Sequence, residues 1–323
     1  MPDDQPTPSP RTVRLRVAAT EIEADDTRSF VLVPESGADL PEWTPGAHID
    51  VHLPGGMIRQ YSLCGDPADR RRWRIGVLRE PTGRGGSTYL HEQVRAGTVL
   101  EASTPRNNFP LRPAEHYVFV AGGIGITPLL PMIRRAEAAG PPWTLHYGGR
   151  NLARMAFRGE LESYGDEVIL YPEDQTGLLP LEDIVRSAGE DGLVYCCGPE
   201  PLLAAVENAW RGRPSERLRI ERFHPREVVA DPAADGAFDV RIHSTGRSVR
   251  VAGGQSILDV LAKAGLEVPS SCREGTCATC ETGVIEGSVD HRDSILSEEE
   301  KETGKTMMIC VSRARSAELT LDL

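Results

Sequence analysis

The chain has 323 residues, 39% of them hydrophobic and 26% charged, and a formal net charge of −12. That is an ordinary globular composition, on a chain longer than one hydrophobic core sustains, so two or three domains are expected. The acidic balance argues against nucleic acid, which rewards clustered Lys and Arg, and no apolar run is long enough to span a bilayer.

The first residues, Met1 to Arg11, are polar and rich in Pro, with no apolar signal-peptide core. They read as a disordered tail on a cytoplasmic protein, whose cysteines are then ligands or buried thiols before they are disulfides. From Thr12 to about Arg112 short alternating runs such as Val13-Arg14-Leu15-Arg16-Val17 and His48-Ile49-Asp50-Val51-His52-Leu53 are punctuated by Gly and Pro. This pattern predicts an antiparallel β-barrel or sandwich. Within it, Arg59-Gln60-Tyr61-Ser62 offers a charge, a ring and a hydroxyl to one flat anionic ligand. Gly83-Arg84-Gly85-Gly86-Ser87-Thr88 is a Gly-rich loop leading into a helix near Tyr89 to Gln93, where backbone N–H groups could hold a phosphate. Taken singly, the first is also what simple strand packing looks like, and the second a plain turn.

The style changes at Tyr117-Val118-Phe119-Val120-Ala121, a continuous apolar run expected of a buried parallel strand. Gly122-Gly123-Ile124-Gly125-Ile126-Thr127-Pro128 follows and opens a helix over Leu129 to Ala139, with another strand from Thr144 to Tyr147. Phosphates bind at such a strand–turn–helix junction, although the run is not the GxGxxG fingerprint. The pattern repeats at Leu193 to Pro199, followed by a helix from Glu200 to Trp210, so an α/β domain with a parallel sheet is expected. Pro225 to Asp235 reads as a linker. A strand from Phe238 to His243, a hairpin-like segment around Gly246 and a helix from Ser256 to Ala264 come next.

Cys272-x4-Cys277-x2-Cys280, followed by Cys310, has the plant-type spacing for [2Fe–2S] ligation. Gly275, Thr276 and Ala278 are small enough for the backbone to close around inorganic sulfur and aim N–H groups at it. Four thiolates also suit zinc, but zinc sites usually arrive as two paired knuckles, and Cys310 stands alone. Cys64 and the adjacent Cys196 and Cys197 read as structural thiols, since neighbouring cysteines rarely bridge.

Taken together, Arg59-Gln60-Tyr61-Ser62, Gly85-Gly86-Ser87, Gly122 to Pro128, Tyr147-Gly148-Gly149-Arg150, Cys197-Gly198-Pro199 and the cysteine set make the chain resemble the phthalate dioxygenase reductase and vanillate demethylase reductase group of the ferredoxin-reductase superfamily. The resemblance runs from about Thr12 to Leu323. It implies a multidomain protein: an antiparallel β-barrel flavin domain over 12–113, an α/β parallel-sheet nucleotide-binding domain over 114–224, a linker over 225–236 and an α+β β-grasp ferredoxin domain over 237–323. It also implies that Arg59, Tyr61 and Ser62 contact the flavin, with Arg84, Gly86, Ser87 and Thr88 around its phosphate. FMN is the expected flavin, because little room remains for an adenine-holding insertion. Phe223, in Glu221-Arg222-Phe223, matches an aromatic that lies near the flavin in this group.

By the same resemblance Gly122, Gly123, Gly125, Thr127, Cys197 and Gly198 hold the dinucleotide, and Cys272, Cys277, Cys280 and Cys310 the cluster. Arg150 either meets a 2′-phosphate or covers the adenine; NADH is expected, with NADPH the other option. The implied activity passes electrons from NAD(P)H through FMN to the [2Fe–2S] centre and on to a separate terminal oxygenase, either a Rieske non-heme iron enzyme or a heme monooxygenase. Such chemistry belongs to the cofactors, and the protein contributes orientation and shielding. No acid–base dyad is needed, and His48, His52 and His91 read as surface or local hydrogen-bonding residues. The chain is expected to be a monomer. Glu298-Glu299-Glu300 reads as a solvated helix start or, second, as a docking patch for a basic partner. Two rival readings are a self-contained flavin or ferric reductase and a ferredoxin-like adaptor that has lost its cofactors.

Overall fold

A computed structural model of the chain describes residues 12–226 and 235–323, so the expected tail and most of the expected linker lie outside the described residues. The chain divides into two compact units, one ending at Glu221 and the other beginning at Arg222.

The first unit opens with β1 (Thr12–Ala24), β2 (Thr27–Pro34), β3 (His48–Leu53), β4 (Met57–Ser62), β5 (Trp73–Leu78), α1 (Gly86–Gln93) and β6 (Val99–Ser103). The strands form one antiparallel sheet in the order β4-β3-β6-β1-β2-β5. Their alternation is the period of two that a half-buried strand imposes. Leu15, Val17, Phe30, Leu32, Ile49, Val51, Trp73, Ile75 and Val77 all turn to one face and are fully buried. An isolated antiparallel bridge between Leu63, just past β4, and Ile75 of β5 links the two ends of the strand order.

The same unit continues through β7 (Tyr117–Gly122), α2 (Leu129–Ala139), β8 (Trp143–Gly149), α3 (Arg158–Leu161), β9 (Val168–Pro172), α4 (Glu173–Thr176), α5 (Leu181–Ser187), β10 (Leu193–Cys197), α6 (Glu200–Ala209) and β11 (Leu218–Glu221). These five strands are parallel in the order β11-β10-β7-β8-β9. Every residue of β7 is buried, which explains its unbroken apolar run. Helix α2 ends where Gly140, at φ 92°, takes the left-handed turn that closes its last carbonyls. The chain leaves β7 toward β8 on one side and reaches β10 on the other. The C-terminal ends of β7 and β10 therefore flank a topological switch point, where open α/β sheets bind ligands.

The second unit holds β12 (Phe238–Ile242), β13 (Ser248–Val251), α7 (Ile257–Lys263), β14 (Glu281–Glu286), β15 (Val289–Asp290), α8 (Glu298–Thr303), β16 (Thr306–Met308), β17 (Arg313–Ala314) and β18 (Glu318–Leu321). Its main sheet runs β13-β12-β18-β14-β16, with β12 and β18 parallel and the other pairs antiparallel. Ser256 caps α7 by accepting from the Asp259 N–H, and Ile257, Leu258 and Leu261 bury into a core with Val240, Ile242, Leu319 and Leu321. Glu298 to Glu300 form the first turn of α8, closed by a reciprocal capping box between Ser297 and Glu300. Their charges thus face the positive end of the helix, as a solvated helix start requires. None of the described helices is long and apolar enough to cross a membrane.

Trp73 is fully buried, and its indole N–H has no hydrogen-bond partner. Trp73→Ala should therefore lower unfolding stability by about 3–5 kcal/mol. Trp73→Phe removes an orphaned donor along with some packing and should cost no more than about 1.5 kcal/mol. Urea denaturation of both variants against the wild type checks the contrast.

Candidate cofactor sites

On the antiparallel sheet, β3 and β4 pair His48 with Ser62, Ile49 with Tyr61 and Val51 with Arg59. Arg59 is half-buried: one guanidinium nitrogen donates to the Ile58 carbonyl at 2.8 Å and the other to the Arg84 carbonyl at 2.8 Å. It thereby ties β4 to the Gly-rich loop. Gly86 has to be glycine, because a Cβ there would stand 2.5 Å from Arg59 Cγ. The loop is closed by the Glu80 N–H donating to the Ser87 hydroxyl at 3.0 Å.

Helix α1 begins at Gly86, three residues earlier than expected, because Gly85 at φ 82° already starts the turn. No side chain caps it, so the N–H groups of its first turn, on Gly86, Ser87 and Thr88, point outward as a phosphate cradle would require. Tyr61 is half-buried against the sheet core, and burial pushes its phenol above the usual range. Ser62 is buried. Beside them lies an ion pair the sequence did not disclose. Arg106 binds the buried Asp50 at 2.8 Å, Gln60 donates to Asp50 at 3.1 Å, and the Ser103 hydroxyl accepts from the Asp50 N–H at 3.0 Å. His48 corrects its expected reading. It is 6% exposed, its Nε2 has no partner, and burial followed by the Arg106 charge lowers its pKa to about 4.

At the switch point, strand register brings Cys197 beside Ala121 and Glu221, and Gly122 beside Gly148. The two βα turns touch backbone to backbone. A Cβ on Gly125 would stand 2.1 Å from the Cys197 carbonyl oxygen, and one on Gly122 would stand 2.6 Å from Leu202. One on Gly198 would meet Leu202 at 2.9 Å and Gly122 at 3.0 Å. Gly123 sits at φ 53°, and its carbonyl accepts from the Tyr147 hydroxyl at 3.1 Å. Thr127 is buried and donates to the Ile124 carbonyl at 2.9 Å. A floor of bare backbone at a strand's C-terminal end is what close approach of a pyrophosphate needs. Arg150 is exposed just past β8, its carbonyl accepting from the Asp174 N–H at 3.2 Å.

Sequence reasoning missed the partner of Cys197. The Cys197 thiol reaches the Glu221 carboxyl at 3.9 Å. Burial raises the Glu221 carboxyl to about 8, and burial together with the Glu221 charge holds the thiol well above its ordinary range. Phe223 follows β11 within the second unit and is half-buried.

In the second unit the expected ligands converge as two pairs. Cys272 and Cys277 lie within hydrogen-bond reach of each other, as do Cys280 and Cys310. Three left-handed residues, Arg273 (φ 58°), Gly275 (φ 72°) and Ala278 (φ 55°), coil the loop inward. The N–H groups of Glu274 and Thr276 point at the Cys272 sulfur at 3.3 and 3.5 Å. Among the described residues no three His, Cys, Asp or Glu side chains converge as a single ion would need. Two thiols on each side instead fit a binuclear cluster, so the donor set suits [2Fe–2S] and not one tetrahedral ion. The segment after β15 supports the loop: Ser294 N–H donates to the Gly275 carbonyl at 2.9 Å, and Asp293 accepts from the Leu296 N–H at 2.9 Å.

Residues 240–315 match the family model described as a 2Fe-2S iron-sulfur cluster binding domain. The chain is 46% identical, over 96% of its length and 97% of the relative's, to the phenoxybenzoate dioxygenase subunit beta of Ectopseudomonas oleovorans. It is 39% identical to a solved phthalate dioxygenase reductase, a modular structure for electron transfer from pyridine nucleotides to [2Fe–2S], covering 97% of this chain and 98% of that one with a TM-score of 0.70. The chain belongs to the phthalate dioxygenase reductase group. It is also 41% identical, with a TM-score of 0.89, to an intact type IV self-sufficient cytochrome P450 monooxygenase. The alignment takes in 99% of this chain and spans only 43% of that one.

Two outcomes follow from the geometry. In Gly275→Ala a Cβ would meet Val311 at 2.6 Å and Asp293 at 3.0 Å, on a residue already at φ 72°. Iron and acid-labile sulfide content per chain should fall well below that of the wild type. For Glu221 the folded pKa is raised above its unfolded value near 4.5 to about 8. The folded state therefore binds the proton more tightly, and this group's contribution to stability is lost as pH rises from about 4.5 through 8. Glu221→Gln should flatten that slope, and urea midpoints at pH 5 and pH 8 for both proteins measure it.

Proposed function

We propose that this chain is the reductase component of an oxygenase system, passing electrons from NADH through FMN to a [2Fe–2S] cluster and on to a separate terminal oxygenase. The observation that carries the reading is the two-and-two pairing of thiols, which calls for a one-electron centre on a chain whose first unit offers a backbone floor at the switch point of a parallel sheet. The names of its relatives, a dioxygenase subunit, an electron-transfer reductase and a self-sufficient cytochrome P450 monooxygenase, support an oxygenase as acceptor, with non-heme iron or heme. We assign the flavin part to 12–113 as a closed barrel, supported by the Leu63–Ile75 bridge. The nucleotide part runs over 114–224, the linker over 225–236 and a β-grasp ferredoxin part over 237–323, supported by α7 packing on a mixed sheet.

A bound flavin would supply two-electron chemistry and a bound cluster one-electron chemistry. The chain's own residues orient and shield. Arg59 and the open first turn of α1, with Arg84, Gly86, Ser87 and Thr88, take a monophosphate, which fits FMN. Tyr61 and Ser62 flank the ring. Gly122, Gly123, Gly125, Thr127, Cys197 and Gly198 would form the floor for the dinucleotide, with Arg150 at its adenosine end. Cys272, Cys277, Cys280 and Cys310 would hold the cluster, and the N–H groups of Glu274 and Thr276 would stabilise thiolate charge on Cys272.

Purified protein should show flavin absorption bands over a red-brown cluster shoulder, and anaerobic NADH should bleach both. A colourless protein, or one whose spectrum NADH leaves untouched, would sink the reading. Arg59→Ala removes a charge-assisted contact worth about 1.5–3 kcal/mol, so FMN affinity should drop about 10- to 100-fold by fluorescence titration.

A further inference from the structure

Glu160, on α3, sits between two guanidinium groups that come from opposite parts of the first unit. Arg74, on β5 of the antiparallel sheet, donates to its Oε2 at 2.5 Å. Arg134, on α2 behind the dinucleotide loop, binds its Oε1. Neither arginine stops there. Arg74 also donates to the Cys64 carbonyl at 3.1 Å, and Arg134 donates to the carbonyls of Cys64 at 3.1 Å and Gly65 at 2.7 Å. The three side chains are 22–26% exposed, so solvent and salt screen this bridge less than they would a surface pair.

A second contact closes a ring. Phe157, one residue before α3, is held at φ 61° and is only 2% exposed. A buried aromatic in the left-handed region is strained and persists only where its surroundings over-determine it. Its ring lies 5.1 Å beneath the Arg74 guanidinium. It also packs on Gly76 of β5, where a Cβ would stand 2.9 Å from the ring and 2.8 Å from Thr127 Cγ2. Thr127 in turn bonds back to Ile124 through both its N–H and its hydroxyl. The path β5, Glu160, α2, the Gly123–Thr127 loop and back to β5 is therefore continuous. Moving α2 along this path moves the loop at its N-terminus.

We propose that Glu160 is a positioning residue, which fixes the spacing between β5 of the flavin sheet and the Gly123–Thr127 loop and so sets the geometry for hydride transfer from NADH, released as NAD+, to the bound flavin. Phe157 and Gly76 act with it as a spacer that lets the two surfaces approach but not slide. This rests on the electron-transfer reading above.

The test uses the holoprotein of Glu160→Gln, which keeps the shape and loses the charge, with two readouts. Amide hydrogen exchange should quicken several-fold in peptides covering residues 123–134 and 73–78, while peptides covering 272–280 stay unchanged. Stopped-flow reduction of the flavin by NADH should slow about 10- to 100-fold, the scale of loss that a misplacement of about 1 Å brings. NAD+ affinity, cluster content and reduction by dithionite should remain those of the wild type. Should Glu160→Gln fail to fold, Arg134→Lys, which keeps the charge and loses the fork to Cys64 and Gly65, should show the same pattern more weakly. Unchanged exchange in both segments, or slowed reduction accompanied by equal loss of NAD+ binding or cluster, overturns the proposal. A wild type that NADH does not reduce defeats the electron-transfer reading instead, and the exchange comparison still decides whether Glu160 joins the two surfaces.

Discussion

The first unit depends on a contact between two turns, where the Gly125 backbone lies against the Cys197 carbonyl. An added Cβ would come within 2.1 Å of that oxygen, closer than any relaxation of a side chain could relieve. Everything at the C-terminal edge of the parallel sheet is drawn in by it. Because the turns after β7 and β10 meet, the ends of β7, β8, β10 and β11 align, and Cys197 is brought to Glu221. Because the floor is backbone, what projects from it are N–H groups and not side chains, which is the surface a diphosphate needs. The glycines here serve proximity more than flexibility.

Much of this was legible in the sequence, for physical reasons that differ by element. β7 could be found because burial on both faces forces an unbroken apolar run, and α2 because Pro128 and Gly140 mark its ends. The cluster loop could be found because three of its four ligands are local, so their spacing is itself the geometry. β9 and β11 escaped notice: they are short, half-buried edge strands whose Val168-Ile169-Leu170 and Leu218-Arg219-Ile220 carry no distinctive period. The start of α1 was misplaced because Gly85 and Gly86 look like loop residues until the left-handed turn at Gly85 is seen. Glu221, Glu160, Asp50 and Phe157 were invisible for a shared reason. Each acquires its role from a partner 20 or more residues away, or from a strained backbone angle, and no local pattern encodes either.

Charge is used in this protein to fix register more than to add stability. Asp50 with Arg106, Gln60 and Ser103 locks β3, β4 and the chain beyond β6 into one alignment, at a site where desolvation offsets much of the Coulomb gain. Apolar residues could fill the same volume, but they would tolerate small slips. Guanidinium and carboxylate groups that share fixed hydrogen bonds do not, and a redox site gains more from that intolerance than from an extra kilocalorie.

The ferredoxin unit has its own version. Asp235 is gripped by Arg292 through two bonds of 2.6 and 3.1 Å and approached by Arg313 at 3.4 Å, while Arg313 also donates to the carbonyls of Gly236, Ala252 and Gln255. The strand that opens this unit is thus fastened by its own later residues before β12 begins. Arg226 N–H makes a second tie of the same kind, donating to the Ser294 hydroxyl at 2.7 Å, so the entry to β12 is held by the very segment that supports the cluster loop.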